Sequence, residues 1–162
     1  MNMFRPGMRA YMLPLVSGMT LTLSAFLPWV IVGGVRITGF PDVPAIWVAG
    51  LGLLASVLAA LSMITRRNSR HPLLVVGLVA LGIMILSWRI MPRSAGQRAL
   101  TVSQAFAIVQ DRPLGGAPPE TSAGSGIYLG MAAAALISGF GLTIVVRRAA
   151  QPYAVTSVDD DV

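Results

Sequence analysis

The chain has 162 residues, 55% hydrophobic and only 11% charged; a soluble domain carries roughly 25% charged residues to keep its surface in water, so much of this surface faces something else. It has no cysteine and a single histidine, His71, which excludes disulfides, thiolate zinc sites, iron–sulfur clusters, a cysteine nucleophile and a self-contained bis-histidine haem. The net charge of +6 comes from arginine alone, without lysine, grouped at the ends of apolar segments as membrane topology requires, so no nucleic-acid partner is expected.

Charge-free gaps divide the chain: Arg9 to Arg36, Asp42 to Arg66, Arg70 to Arg89 and Glu120 to Arg147. Each holds a helix of about 20 residues, the length that crosses a 30 Å hydrocarbon core. The apolar runs are continuous, which specifies helices rather than the alternating strands of a barrel. The sequence therefore predicts an all-α membrane protein. Residues 1–148 form a four-transmembrane-helix bundle with spans at about 11–32, 44–65, 72–91 and 126–146, and 149–162 form a polar cytoplasmic tail.

Arg5 and Arg9 precede the first span, and Thr22 and Ser24 stand where a signal-peptide cleavage site would need small residues. The apolar run continues through Leu27, Pro28, Trp29, Val30 and Ile31, which favours a retained span. Gly33 to Asp42 then reads as a short extended turn with glycine bends. Between the second and third spans lies the tight turn Arg66-Arg67-Asn68-Ser69-Arg70. The third loop is long, from about Pro92 to Ser125. Within it, Leu100, Val102, Phe106 and Val109 give Ala99 to Gln110 the spacing of an amphipathic surface helix, followed by a Pro/Gly linker at 112–119.

Arginine counting orients the bundle. With the N-terminus inside, Arg5, Arg9, Arg66, Arg67, Arg70, Arg147 and Arg148 are cytoplasmic, and Arg36, Arg93, Arg98 and Arg112 are outside, with Arg89 at the edge. Both termini are thus expected in the cytoplasm of a cell bounded by this membrane, with the third loop extracytoplasmic. Trp29, Trp47, Trp88 and Tyr128 fall near the outer ends of spans, where amphipathic rings prefer the headgroup boundary. They are read with Arg89 as interfacial anchors; a ligand-facing tryptophan cluster is the other reading.

Two stripes of small residues recur at four-residue spacing: Gly126, Gly130, Ala134 and Ser138 in the fourth span, and Gly52, Ser56 and Ala60 in the second. Small residues on one helix face let another backbone approach closely. The neighbour is either another helix of this bundle or another membrane subunit. No acidic residue lies inside a span, which argues against a proton relay or cation-coupled carrier. Asp42, Asp111 and Glu120, the carboxylates placed outside, have no nucleophile paired with a histidine beside them, so no catalytic, metal or cofactor site is expected.

Leu27-Pro28-Trp29 followed by a glycine turn, and Gly124-Ser125-Gly126-Ile127-Tyr128-Leu129 leading into the fourth span, resemble the tryptophan-associated membrane proteins of actinobacteria, within a loose group of small bacterial four-span proteins. The resemblance implies a four-span fold in a bacterial plasma membrane and no particular chemistry. Animal claudins share the layout, but their paired loop cysteines are missing. The expected function is a non-catalytic accessory or scaffold subunit of a larger membrane complex; a small transporter or sensor binding a ligand through its outer loops is the alternative.

Overall fold

A computed structural model describes residues 10–65, 70–111, 117 and 119–149, the last six by backbone alone. The predicted leader with Arg5 and Arg9, most of the Arg66–Arg70 turn, most of the 112–119 linker and the tail from residue 150 onward lie outside the described residues. Four helices account for most of the rest: α1 Met12–Ser24, α2 Val43–Thr65, α3 Arg70–Val109 and α4 Ser125–Ala149. Three short strands, β1 Pro28–Val32, β2 Val35–Thr38 and β3 Thr121–Ala123, form an antiparallel sheet in the order β2-β1-β3.

Three helices, α2, α3 and α4, are long and apolar enough to cross a membrane; α1 is apolar but has 13 residues, about 20 Å at roughly 1.5 Å per residue. The predicted first span, 11–32, therefore divides into a helix and a strand. Pro28 disfavours helical backbone at Leu27 before it, and Val30-Ile31-Val32 are β-branched residues that suit a strand. Phe26 and Leu27 still bond back to Leu23 and Ser24, and the chain then turns into β1. The predicted turn after it is a hairpin, with Val32 facing Val35. Gly33 and Gly34, at φ +54° and +85°, supply the two left-handed positions that a two-residue hairpin loop needs.

The third helix departs from expectation in the opposite direction. The span predicted at 72–91 and the surface helix predicted at 99–110 are one helix of 40 residues, about 60 Å long and twice the thickness of a hydrocarbon core. Pro92 lies inside it. Its missing N–H leaves the Trp88 carbonyl without a ladder partner, ordinarily a cost of about 3 kcal/mol. Packing on either side offsets the loss: Met91 and Ala95 are half-buried against the core, and Gly96 is buried against Thr121 of β3. The loop starts only at Asp111, whose φ of +52° ends the helix.

The helices form a ring in which α1 packs on α2 and α4, and α3 packs on α4 and α2. Neighbours run antiparallel: Tyr11 stacks edge-on against Phe140 at one end of α1, and Ser24 meets Gly130 near the other. Small residues fill the interior: Ser17, Gly18, Ala45, Gly52, Ala55, Ala59, Gly77, Ala80, Ala133 and Ala134 are buried. Large aliphatic side chains such as Leu23, Leu53, Leu61, Val75, Leu78, Leu86 and Leu136 point outward. This inverts the soluble pattern and follows from helix association without a hydrophobic driving force between apolar surfaces. Hydroxyls bond inside the chain: Ser24 Oγ donates to Leu21 O at 2.6 Å, Ser138 Oγ to Ala134 O at 2.9 Å and Ser62 Oγ to Leu58 O at 2.8 Å. Such back-bonds satisfy a polar group without water.

Candidate functional site

Both small-residue stripes face neighbouring helices of the same chain. A Cβ built on Gly126 would fall 2.7 Å from Trp29 Cδ1 and 2.9 Å from Ser24 O. One on Gly130 would strike Met84 and Ser24. Ala134 is fully buried, and Ser138 lies against Gly77, where an added Cβ would come within 2.7 Å of the Ser138 backbone nitrogen. On α2, Gly52 meets Gly18 and Thr22, and Ser56 closes on Gly18. Thr22 Oγ1 approaches Ala49 O at 3.3 Å and Ser56 Oγ approaches Leu15 O at 3.4 Å, polar links between α1 and α2. Ala60 is half-buried further along. The stripes set how closely α4 approaches α1 and α3, and α2 approaches α1.

The four aromatic residues read as anchors separate into two kinds. Trp47 is 64% exposed, Trp88 43% and Tyr128 53%, and Arg89 is exposed beside Trp88. Trp29 is fully buried, which corrects its reading as a surface anchor. It lies in β1, next to Pro28, rather than ending a helix, and this turns its ring under the sheet and into the bundle. Its Nε1–H donates to Ser24 O at 2.8 Å, and its carbonyl accepts from the Gly124 N–H at 2.7 Å. A Cβ on Gly39 would lie 2.6 Å from the ring, so Gly39 and Gly126 make the slot that it fills. The sheet above is tied down at Gly33 N–H to Glu120 O, 3.0 Å, and Phe40 N–H to Ala25 O, 2.9 Å.

Among the described residues no group of three His, Asp or Glu side chains could hold a metal ion. Asp42 precedes α2, and its carbonyl accepts from the Ala45 and Ile46 N–H groups. Asp111 ends α3, Glu120 flanks β3, and His71 is exposed at the start of α3. Arg70 lies over the Phe140 ring at 5.4 Å and donates to Thr143 Oγ1 at 3.3 Å, joining α3 to α4 at the end opposite the sheet.

Beyond Gly96, α3 continues past the sheet with Val102, Phe106 and Val109 at 54%, 62% and 83% exposure. Their 4-3 spacing puts them on one face, with Gln97, Thr101 and Gln104 turned away. Comparison with known proteins finds no matching family model, no matching curated protein and no matching solved structure.

Proposed function

We propose that this chain is a non-catalytic integral membrane protein with four crossings, serving as an accessory or scaffold subunit of a larger membrane complex. The inverted surface carries the reading: large aliphatic side chains turned outward around a small-residue interior whose hydroxyls bond internally, as a lipid solvent demands. Depth supports the fourth crossing. Tyr11 meets Phe140 and Ser24 meets Gly130, so short α1 traverses much of the slab that α4 traverses. Arg70 and Arg89, nineteen residues apart, bracket about 28 Å of charge-free helix, close to one hydrocarbon core.

The arginine distribution and the resemblance in Leu27-Pro28-Trp29 support a bacterial plasma membrane with both termini cytoplasmic and the sheet outside. Reporters fused after Arg67 and after Arg148 should then report cytoplasm, and one at Gly115 the opposite side. A periplasmic signal from the Arg67 fusion would reverse the topology.

With the stripes turned inward, the reading places the partner contact on the projecting part of α3, where Val102, Phe106 and Val109 are exposed. Mild-detergent purification with mass spectrometry should recover membrane proteins whose retention drops when Val102 and Phe106 are both replaced by serine. The same proteins retained at the same yield by the variant would remove the scaffold reading's surface.

A further inference from the structure

The outward face of α3 carries a shallow groove lined by Leu86, Arg89, Ile90, Arg93, Ser94 and Gln97. It straddles Pro92, where the helix ladder loses one bond. Leu86 and Ile90 are 62% and 56% exposed, and Arg89 and Arg93 are exposed one turn apart. Among the described residues no carboxylate forms an ion pair with either guanidinium. Both charges are thus free for a ligand.

The groove's depth names its environment. Arg89 ends the charge-free stretch of α3, and Met84 packs against Gly130, just below the level where Ser24 and Trp29 close the bundle. Arg93 stands about 6 Å further along the axis, and Gln97 about 6 Å beyond that, which puts the polar half of the groove in the headgroup layer and Leu86 and Ile90 at the top of the hydrocarbon. Guanidinium groups present paired N–H donors that match phosphate oxygens. An arginine serving only as an anchor needs the general polarity of that layer and no second charge beside it.

We propose that this groove binds an anionic phospholipid, its phosphate held between Arg89 and Arg93 and its first acyl methylenes laid along Leu86 and Ile90. The site rests on the membrane reading above. It selects an anionic lipid because two unpaired positive charges favour a net negative headgroup over a zwitterionic one, whose cationic end they repel.

The test uses the full chain. Its retention in membranes under alkaline carbonate extraction is measured first, because release into the supernatant would sink the membrane reading and the lipid site with it. Protein from membranes that pass is purified in detergent micelles holding equal phosphatidylglycerol and phosphatidylcholine, and bound lipid is read by native mass spectrometry. The wild type should retain phosphatidylglycerol preferentially. Arg89→Gln/Arg93→Gln removes two charge-assisted contacts and should lower that preference at least roughly ten-fold, the size of one such contact alone. Arg36→Gln/Arg98→Gln removes the same charge off the groove and should keep it. Equal loss in both variants would reduce the effect to net charge, and unchanged preference in the first would refute the site. Displacement of the lipid by inorganic phosphate would assign the groove to a free anion instead.

Discussion

Replacing Gly130 and Ala134 with leucine should prevent the chain from accumulating in membranes even when no other subunit is present. A Cβ at Gly130 already strikes Met84 and Ser24, and Ala134 is fully buried between helices. Overpacking costs about 1–3 kcal/mol per site, and the two sites share one contact with α1 and α3, so their costs draw on the same total stability of about 5–15 kcal/mol. Gly82 and Gly139 supply the control. They lie on α3 and α4, yet a Cβ on either meets nothing within 4 Å. Gly82→Leu/Gly139→Leu adds comparable bulk, one leucine on α3 and one on α4, and should accumulate normally. Equal membrane yields of the two double variants, measured by a C-terminal fluorescent fusion, would show that α4 does not pack by this face.

The reason for that contrast was only half present in the sequence. Four-residue spacing identified a face, because helix geometry is local. It left open whether the face meets this chain or another, since that depends on which helices become neighbours. The charge-free gaps read α2 and α4 to within a few residues, 44–65 against Val43–Thr65 and 126–146 against Ser125–Ala149. A charge inside hydrocarbon costs several kcal/mol, so its absence marks a span more sharply than any propensity marks a boundary.

Where propensity had to decide, the reading drifted. Leu27 to Val32 continues an apolar run, and a short buried strand cannot be told from helix by hydrophobicity alone. The charge-free gap ends at Arg89 and places the loop from about Pro92, yet contacts distant in sequence, Gly96 with Thr121 above all, carry α3 past it. The same boundary hides the groove: with the loop starting at about Pro92, Arg93 falls in it, and its one-turn spacing from Arg89 exists only in the continued helix. Strand β3 has three residues, too few to form a pattern, and it exists because β1 offers it an edge. The ring slot of Trp29 was equally illegible, since Gly39 and Gly126 lie 87 positions apart and become partners only once the sheet closes over the bundle.

Trp29→Ala should be the most damaging of the tryptophan substitutions. The side chain is fully buried, its Nε1–H is bonded to Ser24 O at 2.8 Å, and two glycine backbones are fitted to its faces. Emptying such a site costs about 3–5 kcal/mol, because glycine slots have no side chains with which to refill the space. The Ser24 carbonyl also loses its indole donor. Trp29→Phe keeps most of the volume and forfeits the hydrogen bond, and should cost about 1 kcal/mol. Trp47→Ala and Trp88→Ala remove exposed rings and should stay within roughly 0.5 kcal/mol, as surface changes usually do. Thermal unfolding in a single detergent ranks the four variants, and protease sensitivity of the segment Gly33–Asp42 reports on the cap directly, because this segment is held to the bundle through its pairing with β1 and the Phe40 to Ala25 bond. If Trp29→Ala unfolds no earlier than Trp47→Ala and leaves the hairpin equally protected, Trp29 belongs at the lipid boundary with the other tryptophans, and the cap is not what closes this end of the bundle.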